Sequence, residues 1–375
     1  MLERFKKLFG GSQPSSTDAA GTAAHGGTQS AVGEPLLINA YATVATLPPL
    51  DFPHELLGRR DLSDPELAGH LQGFVGYVLK RGDGQMTRSR YHLMRHLQRV
   101  RQHVSVSIPA ENQAAFWRWA EQANAVMFMV DGSVRDPQGR VVIDAAGNQD
   151  EQAQVPYPPA AWQRKDRSES LLEQHGIRVS PTLPPLISET EVNLRPAAEV
   201  AGRAMALLTV AVRAESLKSD EGPLTIERLK ERLAPAFAYL TPQEQAFLDE
   251  DTPAENAIVQ MTWRYESLAL LGWALGLLPT LSLPPGICDV PGLVRIFLET
   301  ASEQWPTQAQ LRPATEILDA LDLYYRLHWV TREASLGRGN PPAEFMPGVI
   351  QERHYALNWL VRFENADWDD VDTPT

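Results

Sequence analysis

The chain has 375 residues, 34 basic and 47 acidic, with a net charge of −13 and a single cysteine. That length fits two domains of roughly 100–200 residues. The acidic balance excludes a whole-surface attraction to nucleic acid or anionic lipid, leaving only a local patch for either. The lone Cys288 excludes an internal disulfide and a cysteine-built structural zinc site, and it fits a reducing, cytoplasmic setting.

Residues 1–34 read as a flexible N-terminal segment. Residues 1–9 lack the apolar stretch of a signal peptide, and Leu2 breaks the myristoylation pattern. Leu2, Phe5, Leu8 and Phe9 fall on one side of a short helix, so a frayed end and a contact with a partner or membrane surface are the two readings of this stretch. Residues 10–33 are small and polar and bury too little surface to offset their ordering entropy.

Residues 35–150 predict a small α+β domain of sandwich-like build. Strands are expected over 36–45, 104–108 and 125–130, and helices over 65–81, 87–103 and 110–124. Asp136-Pro137-Gln138-Gly139 predicts a hairpin turn, with Pro where φ is fixed and Gly where φ is positive. Residues 151–162 are polar and Pro-rich and read as a linker.

On the predicted 87–103 helix, Arg88, His92, Arg95, His96, Arg99 and His103 project within one third of the circumference at 100° per residue. The stripe is a candidate surface for an anion or an acidic partner, against the plain alternative of a solvated face. No recognition motif accompanies it, so sequence-specific nucleic-acid binding is not expected. His92 and His96 also have the spacing of a metal pair, but Arg95 and Arg99 beside them oppose a cation, and no metal is expected.

From 163 to 375 the chain predicts a mostly α-helical domain. Thr241-Pro242-Gln243-Glu244 is a capping box, and Pro291, Pro313 and Pro347 each precede a helical pattern. The most apolar run, 267–283, is shorter than the roughly 20 residues of a bilayer span and carries Pro279, so it reads as a core helix. Cys288, in a Pro-rich loop beside Asp289, reads as packed and inert.

Several motifs in this half resemble those of the domain of unknown function 4272 family. They are Gly176-Ile177-Arg178-Val179, Leu183-Pro184-Pro185, Leu194-Arg195, the run from Trp263-Arg264-Tyr265-Glu266 through Cys288-Asp289-Val290, the stretch from Ala320 to Trp329, the stretch from Glu352 to Trp359, and the end from Trp368 to Asp372. The resemblance covers roughly residues 163–372 and implies no activity.

The same motifs set ionisable groups among large rings. Tyr324, His328 and Arg332 share one helical stripe with Ile317 and Leu321. His354 shares another with Ile350, Leu357 or Asn358, and Val361. Arg264, Glu266, His328, Arg332, Glu352, Arg353, His354 and Asn358 are therefore candidates for a polar pocket, against the alternative of a packed network that fixes helix positions. If Arg264 is buried against Glu266 or Glu352, removing it should cost about 3–5 kcal/mol. The acidic end, Glu364 to Asp372, reads either as a docking element or as a solvated tail, with Trp368 arguing for at least one anchored contact.

The chain carries no P-loop, G-x-S-x-G, H-E-x-x-H or G-x-G-x-x-G. The expectation is a binding or interaction protein, adaptor-like or immunity-like, without catalytic activity, with a protein partner and no cofactor. The alternative is a hydrolase or transferase acting on an anionic small molecule in a His/Arg/Glu pocket of the helical domain. An enzyme needs His328, His354 and a carboxylate together on an open cleft; an adaptor packs them shut.

Overall fold

The structure, a computed structural model, describes residues 34–375 apart from 221, 282, 301–303 and 340–344. The expectations for residues 1–33 lie outside the described residues. The chain divides after Pro158 into two compact units.

The first unit contains β1 (Leu36–Ala42), β2 (Glu55–Asp61), α1 (Glu66–Leu79), α2 (Arg88–Leu97), β3 (Gln102–Ile108), α3 (Gln113–Gln122), β4 (Ala125–Met129), β5 (Val134–Arg135) and β6 (Val141–Ile143). The strands form one antiparallel sheet in the order β2-β3-β1-β4-β5-β6. Alternation along β1 assigns its faces. Ile38, Ala40 and Ala42 pack with Val104, Val106, Met127 and the α3 residues Phe116 and Trp119. Tyr41 points the other way, into a core with Phe74 and Val78 of α1, Leu93 and Leu97 of α2, and Val126 and Phe128. The sheet is covered by helices on both faces, as an α+β sandwich should be. The 136–139 turn forms as its residues dictate. Gly139 has φ 80°, and the buried Asp136 carboxylate accepts from the backbone N–H groups of Gln138 and Arg140.

Three sequence expectations are corrected here. The 87–103 helix stops at Leu97, because the chain turns to enter β3 at Gln102. Strand β2 was not expected: it lies at the sheet edge, where Leu56 and Leu57 are exposed and Arg60 and Asp61 are partly buried, so its sequence lacks the alternation of a half-buried strand. The 151–162 segment is not a free linker. Val155 and Tyr157 are buried in the first unit's core, Gln154 N–H donates to Asp136 (3.1 Å), and helix begins at Pro159.

The second unit is helical: α4 (Pro159–Gln174), α5 (Ala197–Ser216), α6 (Ile226–Leu233), α7 (Pro242–Asp249), α8 (Glu255–Ala274), α9 (Val290–Thr300), α10 (Trp305–Gln308), α11 (Ala314–Ser335) and α12 (Pro347–Leu360). Helix α5 is the axis of the unit. Its run from Val200 to Ala211 is buried on every side, and its small residues let neighbours approach closely. Helix α8 packs along α5, α12 along α8, and α11 along α12. The capping box at Thr241 and Glu244 forms, and the prolines stand at helix starts. Of the described residues of the apolar 267–283 run only 267–274 are helix, the end of α8, which stops where Gly276 takes φ 75°; no described helix is long and apolar enough to cross a membrane.

Candidate functional site

Of the eight polar residues predicted for the helical unit, six meet in three pairs and two, Arg332 and Asn358, stand apart. In the deepest, Glu266 of α8 accepts from Arg353 of α12 at Nη2 (3.0 Å) and Nε (3.2 Å). Its other oxygen accepts from the Cys288 backbone N–H (2.6 Å), and Arg353 Nη1 donates to the Tyr324 hydroxyl of α11 (2.7 Å). Glu266 and Arg353 are 1% and 3% exposed, so each is the other's condition for being buried. Two residues earlier on α8, Arg264 donates to Glu352 (3.1 Å), which also accepts from Ser267 Oγ (2.8 Å). This pair is half-buried, at 17% and 18% side-chain exposure.

His328 and His354 face each other, Nδ1 to Nδ1 at 2.9 Å, with rings nearly perpendicular. Burial, helped by the Arg332 cation, lowers the His328 pKa to about 4, so its imidazole is neutral. Asn358 donates to the backbone carbonyl of Asp372 (2.8 Å), and Arg332 is exposed. Cys288 is inert: burial and the Glu266 carboxylate push its thiol up to about 12.

The acidic end is docked on its own unit. Trp368 is 3% exposed and stands edge-on to Tyr355 and Trp359, the Tyr355 hydroxyl donates to the Trp368 carbonyl, and Asp369 accepts from the Gln243 N–H at the start of α7 (3.2 Å).

Two clefts among the described residues of this unit are lined by none of the eight. The first, of about 370 Å³, lies beside α4 and α11 and is lined by Leu171, Trp273, Leu281, Leu283, Leu323 and Tyr324, with Arg164, Arg167, Glu316 and Asp319 also in its wall. Asp319 Oδ1 accepts from both Arg164 Nε and Arg167 Nη2 (2.8 Å each), and Arg164 also reaches Glu189. Tyr324 joins this cleft to the buried network, since its hydroxyl accepts from Arg353. The second, of about 350 Å³, is lined by residues of α5, the start of α7, Trp359 and the 367–370 turn. Arg195, in its wall, is a clamp: its N–H donates to the Leu360 carbonyl, Nε to the Trp359 carbonyl (2.8 Å) and Nη2 to the Ala366 carbonyl (2.6 Å). Sequence reasoning missed both: Arg164 and Asp319 stand 155 positions apart, and no local pattern announces their meeting.

In the first unit the basic stripe does not assemble. His96 is fully buried, with Nε2 bonded to the Tyr41 carbonyl (2.9 Å), and His103 is fully buried in β3 against Asn39 Oδ1 (2.9 Å). Burial lowers both imidazoles to about 3. His92 stands edge-on to Tyr157, Arg99 lies over the same ring (4.2 Å), and Arg95 reaches Gln98 (3.0 Å). Of the six, Arg88 is the one classed as exposed. The helical projection fails because α2 ends before His103, and because its inner face is Arg90, Leu93, His96 and Leu97.

These features define a helical domain in which charged groups tie the helices together, with the eight predicted residues outside the two clefts described. The chain belongs to the DUF4272 family, a domain of unknown function, which it matches over residues 164–371, more than half its length. No curated protein and no solved structure matches it.

Proposed function

We propose that the helical unit is a binding module, and that the cleft beside α4 and α11 receives apolar side chains of a protein partner. The observation that carries this reading is that none of the eight predicted polar residues lines this cleft. His328 bonds His354, Glu266 bonds Arg353, and Glu352 bonds Arg264, so the residues suited to proton transfer are engaged in packing. The cleft offers leucines and a tryptophan, with alternating charge from Arg167, Glu316 and Asp319 in its wall. An apolar centre with a polar rim is the anatomy of a recognition surface. Arg167 uses one nitrogen on Asp319 and keeps 58% side-chain exposure, which suits it to select an acidic residue beside the apolar anchor.

Affinity capture with mass spectrometry, comparing wild type with Leu171→Glu and Arg167→Glu, tests this. A stoichiometric partner held by wild type and lost by both variants, with melting points unchanged, is the expected result. A partner retained by both variants overturns the assignment of the cleft.

A further inference from the structure

We propose that the partner received by the cleft beside α4 and α11 is a second copy of this chain, which inserts Leu56 and Leu57 of strand β2 and sets Glu55 against Arg167. This inference rests on the reading of that cleft as a site for apolar side chains of a protein.

Strand β2 presents its leucines outward. It is the outer strand of the sheet, paired on one side with β3. The register shifts between Leu56 and Gly58, so Leu57 has no opposite number in the ladder. An extra residue of this kind bends a strand and re-aims its side chains. Leu56 and Leu57 are 53% and 49% exposed, on an edge where natural sheets place lysine, proline or a charge. The far edge is treated differently: β6 has three residues, and its Val141 exchanges bonds with Asp150, N–H to Oδ2 (2.6 Å) and carbonyl from the Asp150 N–H (2.8 Å). Two neighbouring leucines left in water forgo a burial gain that a fitting apolar cleft returns.

The charges on the two surfaces are complementary. Along β2, Glu55 precedes the leucines and Arg59 follows them, both exposed, with Arg59 holding Gln102 through one nitrogen (3.4 Å). At the cleft, Arg167 keeps 58% side-chain exposure and Glu316 keeps 46%. Glu55 meets Arg167, and Arg59 meets Glu316, which uses one oxygen on Arg312 (2.9 Å). At a net charge of −13, two copies repel at long range, so local pairs of opposite sign fix the register of approach. The contact is heterologous: one copy supplies the strand and the other the cleft, and the site is complete only with both.

The test is sedimentation velocity of the full chain at low salt over about 1–300 µM. Wild type should associate reversibly. Leu57→Glu and Leu171→Glu, at exposed positions, should each weaken association about tenfold or more with the melting point unchanged, as for loss of a buried anchor. The first variant keeps the cleft and the second keeps the strand, so an equimolar mixture should recover association that neither shows alone. Glu55→Arg combined with Arg167→Glu in one chain should associate more tightly than either single change. A monomeric wild type overturns the inference: if a foreign partner is still captured and is lost with Leu171→Glu, the cleft assignment stands without it, and if none is captured both fall. Association untouched by Leu171→Glu means that β2 edges pair with each other, and it also overturns the inference.

Discussion

The two units face the same problem, polar groups inside an apolar core, and weigh two solutions differently. The first buries imidazoles in the neutral form: His96 and His103 sit on the sheet and bond a carbonyl and an amide, with Tyr41, His70 and the Arg60 cation close by. The second has one such site, the His328 and His354 pair, and otherwise buries full charges and matches them: Arg353 with Glu266, Arg203 with Glu244, and Arg326 with Asp322 and Glu169. A neutral imidazole is lost by gaining a proton, whereas an ion pair is lost by losing its partner. The first unit should therefore be the more sensitive to mild acid and the second the more sensitive to truncation of a single side chain.

Glu266→Ala breaks the comparison most severely, because it strands the Arg353 guanidinium in a core where it is 3% exposed. Urea unfolding should show a loss of about 3–5 kcal/mol, and Glu266→Met combined with Arg353→Leu should recover most of it. An unchanged midpoint in the single variant would remove this pair from the stabilising network.

Acid should act on the first unit next. The folded-state pKa values of His96 and His103 lie near 3, below the unfolded value near 6.5. Their neutral burial is therefore fully stabilising above about pH 6.5 and is lost as pH falls toward the folded pKa values. Between pH 7 and pH 5 each histidine should remove about 2 kcal/mol. Hydrogen exchange followed by mass spectrometry at the two pH values, corrected for intrinsic rates, should show β1 and β3 losing protection ahead of α5 and α8. Equal losses in the two units contradict the contrast.

The smallest effect belongs to Arg264→Ala. The sequence placed this arginine at the centre of the network, with about 3–5 kcal/mol at stake if buried. Its pair with Glu352 is half-buried, and its guanidinium lies 5.1 Å from the Tyr355 ring. A loss of about 1–2 kcal/mol is expected, as for a partly solvated charged hydrogen bond with one cation–π contact. A loss as large as that of Glu266→Ala would place Arg264 in the core despite its exposure.

What the sequence made legible was local. Prolines at helix starts, the Thr241 capping box, the 136–139 hairpin and the burial of the 267–274 run all follow from neighbours a few positions apart, and all of them form. What it hid was long-range. The six basic residues around α2 looked contiguous only while the helix was carried past Leu97, and the turn into β3 that ends it depends on pairing with β1. The eight aromatic-flanked polar residues stood out in the sequence. Which of them meet depended on the rotation of α8 against α11 and α12, which no single helix encodes. Glu244 shows the difference in one side chain: as a capping residue for Thr241 it was evident, and as the partner of Arg203, 41 positions away, it was not.

The Arg195 clamp carries a consequence for the order of folding. It ties the residue just before α5 to the carbonyls that end α12, across 164 positions of chain. A contact of that span closes only after the intervening helices have docked, because its loop entropy is recovered last. Such a contact contributes little to the folding transition state and acts almost wholly on the rate of escape from the folded one. The helical unit thus carries a latch, engaged after assembly, that governs how long the unit persists more than how fast it forms.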